Sequence, residues 1–283
     1  MDARRNHLAC ALVGLGLASM AGCDSIVEPP WWTHQTAMYA LLNADFTEHP
    51  ILLVATDTAS TLSEVSVAIH RRAPGAAGDE WELIAWWDSA RAAAAGRPFR
   101  DYEPCENRLG RMSLYHEPED HVCVTPEAEL EPGGVYRVEA RARDRKTATG
   151  VTRIVGGFEI EDAVLSGADD EATLSASWTP SLAAHRYIVS FRSDCDGRSG
   201  CDPWHAEIDT ASVGIRVPRH AIDNAFTDPM TLDVVAFDEH LHAFLTTGHS
   251  GIAFDVPPVQ NVEGGFGVVG SLRFRERSVT RNR

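Results

Sequence analysis

The sequence predicts an all-β protein built from two β-sandwiches in tandem. Short runs rich in β-branched and aromatic residues recur along the chain, and Gly and Pro turn signals separate them. The clearest run, residues 135–142, alternates between apolar and polar side chains, which is typical of a strand with one buried face. A hydrophobic content of 44% over 283 residues is sufficient for two domains with buried cores.

The first half contains the pattern of a small sandwich. A Pro-Gly-Gly turn at residues 132–134 leads into the alternating run, an arrangement that resembles immunoglobulin-like or transthyretin-like sandwiches. A helix of one or two turns is expected at residues 90–95, and a loop around Cys105. The other predicted strands cover residues 51–55, 65–69, 81–86 and 151–160, the last of them bent at Gly156 and Gly157.

The second half resembles a fibronectin type III sandwich. An alternating run at residues 172–178 ends in Trp178, and another apolar run begins at Tyr187. The resemblance implies that Trp178 fills the core and that Tyr187 begins the next strand. Further strands are predicted at residues 213–217, 231–237 and 272–279, and a short helix at residues 238–246 with Leu241, Phe244 and Leu245 on its apolar side.

The N-terminus predicts export and lipidation. Two arginines precede an apolar run of residues 8–20, which is too short to span a bilayer as a helix. The Ala-Gly-Cys sequence that ends at Cys23 resembles a bacterial lipobox, in which a peptidase cleaves before the cysteine and its sulfur receives a diacylglycerol. The alternative is an ordinary signal peptide cleaved near Ala21, with Cys23 incidental.

These patterns divide the chain into four predicted parts. They are a lipoprotein signal peptide at residues 1–22, a tether at 23–36, an N-terminal β-sandwich domain at 37–162 and a C-terminal fibronectin type III-like domain with a short helix at 163–283. Through the lipid on Cys23 the protein is expected to be anchored to the bacterial cell envelope, with the outer membrane favoured over the inner membrane.

The charge balance excludes one class of partner. The chain has a formal net charge of −16, and removal of a signal peptide that carries two arginines and one aspartate changes it to −17. Such a surface repels phosphate backbones and anionic lipid headgroups, so nucleic acid is not an expected partner. The membrane contact is therefore assigned to the lipid, and the remaining expected partner is an envelope protein or a glycan.

Four cysteines lie beyond Cys23. Short loops close at the least entropic cost, and disulfides persist in exported proteins. The predicted pairs are therefore Cys105–Cys123 and Cys195–Cys201. A zinc site of four cysteines is the alternative, but no Cys-x-x-Cys spacing supports it.

Two glycine-containing motifs are interpreted as structural. Residues 153–157, Arg-Ile-Val-Gly-Gly, resemble the activation site of a trypsin-like protease, but no Gly-Asp-Ser-Gly-Gly sequence follows to supply a nucleophile. Residues 265–270 fit the pattern G-x-G-x-x-G, yet the helix and the acidic residue that a dinucleotide site needs have no room after them. A glycine-bent strand or turn is predicted there instead.

Two acidic segments are weighed as metal sites. His116 and His121 are five positions apart and Pro118 would break a helix between them, so a solvated loop is favoured over a zinc motif. Residues 194–202 are rich in Asp and Gly but lack the glutamate of a calcium loop, so a disulfide-closed hairpin is favoured. His240 and His242 would point to different sides of a helix. No catalytic, cofactor-binding or metal-binding residue is predicted.

A family resemblance lies in the C-terminal stretch, residues 234–279. A strand that ends at Phe237, a short aromatic helix and a Pro-Pro segment precede the sequence Asn-Val-Glu-Gly-Gly-Phe-Gly at residues 261–267. This order is similar to the ending of a bacterial lipoprotein family of unknown function, family 4249 in the domain-of-unknown-function series. The resemblance implies a lipoprotein of the cell envelope and implies no chemistry.

Three functional hypotheses follow. The first is a non-enzymatic, lipid-anchored module that binds or scaffolds at the cell envelope. The second is a carbohydrate-binding module that uses exposed tryptophans, and the third is a glycan or peptide hydrolase that uses paired carboxylates. The tryptophan candidates are Trp31, Trp32, Trp81, Trp86, Trp87 and Trp204, and the carboxylate candidates are Glu117, Glu119, Asp120, Asp169, Asp170 and Glu171.

The Cys23→Ser substitution is expected to release the protein from the membrane, because the lipid on Cys23 is its predicted attachment. Detergent phase partitioning measures this directly: the wild type should enter the detergent phase and the variant should stay in the aqueous phase. Equal retention of both proteins in the detergent phase would contradict acylation at Cys23.

Overall fold

The computed structural model describes residues 35–56, 62–73, 80–95, 105, 121–167, 172–193, 204–216, 230–248 and 260–282. Within these ranges, sixteen strands form three sheets. The predicted all-β class with sandwich packing is therefore confirmed.

The strands of the first half begin earlier than the patterns indicate, since residues from Thr36 onward already form a strand. The elements are β1 (Thr36–Leu42), β2 (Ile51–Ala55), β3 (Ser66–Arg72), β4 (Trp81–Asp88), helix α1 (Ser89–Ala94), β5 (His121–Val124), β6 (Val135–Arg141) and β7 (Ala148–Arg153).

The second half contains the predicted short helix and a long C-terminal strand. The elements are β8 (Ile160–Ser166), β9 (Thr173–Trp178), β10 (Arg186–Ser193), β11 (Trp204–Ile208), β12 (Ser212–Arg216), β13 (Met230–Phe237), helix α2 (Glu239–Gly248), β14 (Val262–Glu263), β15 (Phe266–Ser278) and β16 (Thr280–Asn282).

One sheet is common to both sandwiches. Its seven strands lie in the order β11-β10-β13-β15-β1-β2-β5, so it combines strands from the two ends of the chain. A five-stranded sheet, β14-β7-β6-β3-β4, packs on its β1 side, and a four-stranded sheet, β12-β9-β8-β16, packs on its β13 side. Each pair of sheets encloses its own apolar core.

The two cores meet between Ile154 and Val155. Ile154 is fully buried in the first core and Val155 is fully buried in the second. The predicted strand at residues 151–160 is therefore wrong: β7 ends at Arg153 and β8 begins at Ile160 in a different sheet. The intervening backbone bonds elsewhere, since the Gly156 N–H donates to the Leu182 carbonyl at 2.7 Å. The predicted boundary between residues 162 and 163 lies inside β8.

A buried tyrosine closes the same kind of corner in each sandwich. The Tyr136 hydroxyl accepts a hydrogen bond from the Glu131 N–H at 2.7 Å, and the Tyr187 hydroxyl accepts one from the Ser181 N–H at 2.8 Å. Trp178 is buried with its ring centroid 5.2 Å from that of Tyr187, as the predicted core role requires. Tyrosine corners of this kind fix a turn to the strand that follows it.

Glycines allow β15 to pair with β1. The two strands run parallel, with Ala37 opposite Phe266 and Leu41 opposite Gly270. Gly267 has a φ of +102°, and a Cβ atom there would lie 2.2 Å from the Met38 carbonyl oxygen. A Cβ atom on Gly265 would lie 2.4 Å from the Thr36 carbonyl oxygen. The glycine-bent strand predicted for residues 265–270 is confirmed, and the glycines serve close backbone approach.

Asn261 joins β15 to the five-stranded sheet. Its side-chain amide donates to the carbonyls of Val151 at 2.9 Å and Val269 at 2.7 Å, and its side-chain oxygen accepts from the Val269 N–H at 2.9 Å. These three bonds satisfy backbone groups of β7 and β15 where the two sheets meet. The asparagine of the C-terminal motif is thus a structural link between strands.

Asp238 begins helix α2 and connects it to both sheets. Its carboxylate accepts from the Leu241 N–H at 2.8 Å, which caps the helix, and contacts the Thr152 hydroxyl of β7. Its own N–H donates to the Ser271 carbonyl of β15 at 3.0 Å. Because Asp238 is only 3% exposed, desolvation raises the pKa of its carboxyl. The helix itself confirms the prediction for residues 238–246.

Helix α2 covers the outer face of the seven-stranded sheet. The predicted apolar residues Leu241, Phe244 and Leu245 pack there in a third cluster, which also contains Cys105 and Cys123. These two cysteines form the disulfide that the sequence predicts. Cys195 and Cys201 lie outside the described residues.

The Gly267→Ala substitution is expected to lower the free energy of unfolding by roughly 3 kcal/mol or more, because the new methyl group combines an unfavourable φ with a backbone clash. Gly214→Ala in β12 is the matched control, since nothing lies within 4 Å of a Cβ atom there. The control should change stability by less than about 1 kcal/mol. Urea unfolding of both variants measures the difference, and equal midpoints would contradict the close approach of β1 and β15.

The Asp238→Asn substitution is expected to change how stability depends on pH. Burial raises the pKa of Asp238 above its ordinary value of 3.8, so the folded protein holds this proton more tightly than the unfolded chain. The resulting contribution to the free energy of unfolding is fully present below that value and is lost as the pH rises through the higher pKa.

Urea unfolding of the wild type and Asp238→Asn between about pH 4 and about pH 8 isolates this effect. The free energy of unfolding of the wild type, relative to that of the variant, should decrease as the pH increases. If the difference in free energy of unfolding between the two proteins stays constant over the pH series, burial does not raise the pKa of Asp238.

Candidate functional site

Several residues singled out from the sequence lie outside the described residues. These include Cys23, the metal-site segment at residues 194–202, Trp31, Trp32 and the carboxylate candidates Glu117, Glu119, Asp120, Asp169, Asp170 and Glu171. Among the described ranges, no group of three or more His, Cys, Asp or Glu side chains is arranged to hold a metal ion. None of the helices in these ranges combines the length and apolar character needed to cross a bilayer.

The two predicted helix histidines have different surroundings. The His242 side chain lies 2.7 Å from a carboxylate oxygen of Glu207 in β11, and its ring centroid is 5.3 Å from that of His185. These contacts fix α2 against the edge of the seven-stranded sheet. His240 stands at the start of the helix, close to Asp238.

The outer face of the five-stranded sheet carries the most distinctive surface of the described chain. A β-bulge between Ile69 and His70 shifts the pairing of β3 with β4, so that both Ile84 and Ala85 pack against the first core. The bulge reverses the alternation along β4. Trp86 therefore lies on the same face as Leu83 and Trp81, as their partners Ala68, His70 and Arg72 show.

Two of these β4 side chains are exposed to an unusual degree. Leu83 is 52% exposed and Trp86 is 45% exposed. Trp87, the neighbouring tryptophan, instead packs against the first core. Of the tryptophans predicted as sugar platforms, the structure thus brings Trp81 and Trp86 to one surface and leaves Trp87 partly buried on the opposite side of the strand. Trp204 lies in β11 of another sheet.

Trp86 is held in a defined orientation despite its exposure. Its indole N–H donates to the Asp88 carboxylate at 3.1 Å. The other oxygen of Asp88 accepts from the Arg91 N–H at 2.8 Å and caps helix α1, and this bond chiefly lowers the pKa of Asp88. The helix cap and the tryptophan therefore share one carboxylate, which limits the rotation of the ring before any ligand arrives.

Trp81 is fixed by two arginines. The guanidinium carbon of Arg72 lies 4.9 Å from the Trp81 ring centroid, and that of Arg137 lies 4.7 Å from it. Both distances are within the range of a cation–π contact. We call Arg72, Trp81, Leu83, Trp86 and Arg137 the aromatic–arginine face.

Glu139 is the carboxylate at the centre of this surface. It is 2.9 Å from Arg137 and 3.4 Å from Arg141, and 3.8 Å from the Nε2 atom of His70. Desolvation lowers the pKa of His70, against the opposing effect of Glu139, and so favours the neutral imidazole. The Nε2 atom of His70 and the Nε atom of Arg137 are two of several buried side-chain atoms with no hydrogen-bond partner among the described residues.

The aromatic–arginine face has the composition of a binding surface. Tryptophan and arginine are the residues that contribute most to binding energy at interfaces, especially where their side chains are already held in place. The sequence indicated the tryptophans but not their common face, because the bulge that aligns them has no signal in the alternation of residues 81–86.

Comparisons with known proteins add little to this geometry. No protein-family model matches the chain, and no curated protein does so either. The chain is similar to the FN1-FN3 domains of chicken CNTN1 at 12% identity, over 88% of this chain and 67% of that one, with a TM-score of 0.33. It is also similar to the BSP domain of a biofilm associated protein at 10% identity, over 91% of this chain and 31% of that one, with a TM-score of 0.27. Both TM-scores are low, so the fold assignment rests on the sheets and cores described above.

Proposed function

We propose that the protein is a non-catalytic binding module, anchored by lipid at Cys23 to the bacterial cell envelope, and that its partner contacts the aromatic–arginine face. The exposed and oriented Trp86 is the observation on which this proposal depends. A soluble domain gains nothing for its own stability by leaving an indole ring and Leu83 half exposed. Contact with a partner removes both from water.

The rest of the sheet supports this role. The inner side of the five-stranded sheet packs on the first core through residues such as Val67, Ile69 and Val138, so the strands beneath the face are fixed. Strand β4 lies at an edge of the described sheet, where a partner can approach from the side as well as from above. Sites built on strands keep their geometry better than sites built on loops.

An envelope location rests on the sequence alone. The apolar segment before Cys23 and the lipobox-like ending are the support for a lipid anchor, and the resemblance to lipoprotein family 4249 is in keeping with it. A tether at residues 23–36 would hold the module at a short distance from the membrane surface. From there the aromatic–arginine face could reach a partner in the envelope.

Photo-crosslinking in the bacterium that produces the protein tests the face directly. A photoreactive residue placed at Leu83 should crosslink to the partner, whereas the same residue at Leu182, which is 61% exposed, should not. The additional substitution Trp86→Ser should reduce the Leu83 crosslink at least about tenfold, because an interface anchor contributes roughly 2 kcal/mol.

Thermal unfolding of each variant controls for damage to the fold. Trp86→Ser is expected to melt close to the wild type because the ring is exposed. Equal crosslinking at the two leucines, or a Leu83 crosslink that does not depend on Trp86, would show that this face is not the binding surface.

A further inference from the structure

We infer that the aromatic–arginine face binds an acidic polysaccharide whose sugar rings carry carboxylates; this rests on the proposed function of the same face. The starting point is the contrast in charge. The chain as a whole has a formal net charge of −16. On the side of the five-stranded sheet that carries this face, however, the guanidinium groups of Arg72, Arg137 and Arg141 outnumber the carboxylates of Glu139 and Asp88. A local positive field in an acidic protein favours an anionic ligand at that place.

Arg72 offers donor groups at this site. Within the part of the chain that the structure describes, its guanidinium makes no ion pair or hydrogen bond, and its carbon lies over the Trp81 ring. A guanidinium in a cation–π contact keeps N–H groups that can bind a carboxylate through two hydrogen bonds. The neighbouring Arg71 differs, because its guanidinium is already paired with Glu82 and Glu131.

Trp86 and Leu83 supply the apolar part of the site. Sugar rings present C–H groups on their faces, which pack on an aromatic plane, while their hydroxyl and carboxyl groups project from the ring edge. Trp86 offers such a plane, and the bond from its indole N–H to Asp88 holds the plane in position. An anionic group at the edge of a sugar stacked near Leu83 would lie on the side of Arg72 and Arg137.

The length of the face favours a chain over a single sugar. Trp81 and Trp86 are five positions apart along β4, which corresponds to roughly 15 Å of strand. Among the described strands β4 has a neighbour on one side only, so within these residues the row is open at the other side. An open row of this length suits a linear polymer, which can enter and leave at both ends. A buried pocket would be expected for a small metabolite.

Affinity electrophoresis with defined polysaccharides tests the inference. The full chain with Cys23→Ser should be retarded by polygalacturonate, and much less by neutral dextran or by polygalacturonate whose carboxyl groups have been reduced to alcohols. Trp86→Ala and Arg72→Gln should each weaken the retardation by polygalacturonate at least about tenfold, the factor that corresponds to one interface anchor.

Arg216→Gln is the matched control for charge, since Arg216 is an exposed arginine of β12 in the four-stranded sheet. It should bind polygalacturonate like the parent protein.

Equal retardation by dextran or by the reduced polymer would overturn the requirement for carboxylates. An equal loss in Arg216→Gln would show unspecific attraction to charge and would overturn the site. If no acidic polysaccharide binds while the Trp86-dependent crosslink at Leu83 persists, the face binds a partner of another class: the glycan inference fails and the proposed function stands.

Discussion

The parallel contact between β1 and β15 is the constraint on which the rest of the structure depends. It brings two strands from opposite ends of the chain so close that side chains at Gly265 and Gly267 would strike the carbonyls of β1. The first half of β15 contributes Val269 to the first core. Its second half pairs with β13, whose side chains line the second core. A single strand therefore holds both sandwiches on one sheet, and the absence of two Cβ atoms permits it.

Polar groups then connect the smaller sheets to that common strand. Asn261 satisfies backbone groups of β7 and β15, and Arg275 donates from β15 to the Phe158 carbonyl before β8, at 3.1 Å. Asp238 connects α2 to β7 in the same way, and its carboxyl is buried there. With its inner side fixed in this way, the five-stranded sheet presents a rigid outer side, and the orientation of Trp86 follows from local bonds instead of from a flexible loop.

Local pattern was enough to predict much of the fold but not its connections. Strands β2, β6, β10 and β13 have clear apolar periodicity, and the apolar side of α2 was correctly identified. The patterns do not predict β1, which follows polar sequence, or β5, which has only four residues. Residues 154–159 have the pattern of a strand although they are not one, because their apolar side chains belong to two different cores. For the candidate face, the sequence indicates the tryptophans as binding residues. The bulge at Ile84 and the arginine contacts of Trp81 depend on how the strands pair, and residues that are close in sequence do not reveal that pairing.

The pairing of β1 with β15 also sets an order of events during synthesis. Ribosomes add roughly 5–20 residues per second, so β15 emerges on the order of 10–50 s after β1. Throughout that interval one side of β1 has no parallel partner, and the common sheet cannot be completed. Contacts between residues so distant in sequence also make folding slow. The growing chain therefore presents an open strand edge to its surroundings until β15 is made, and a chaperone that covers such edges would act on it before the fold can close.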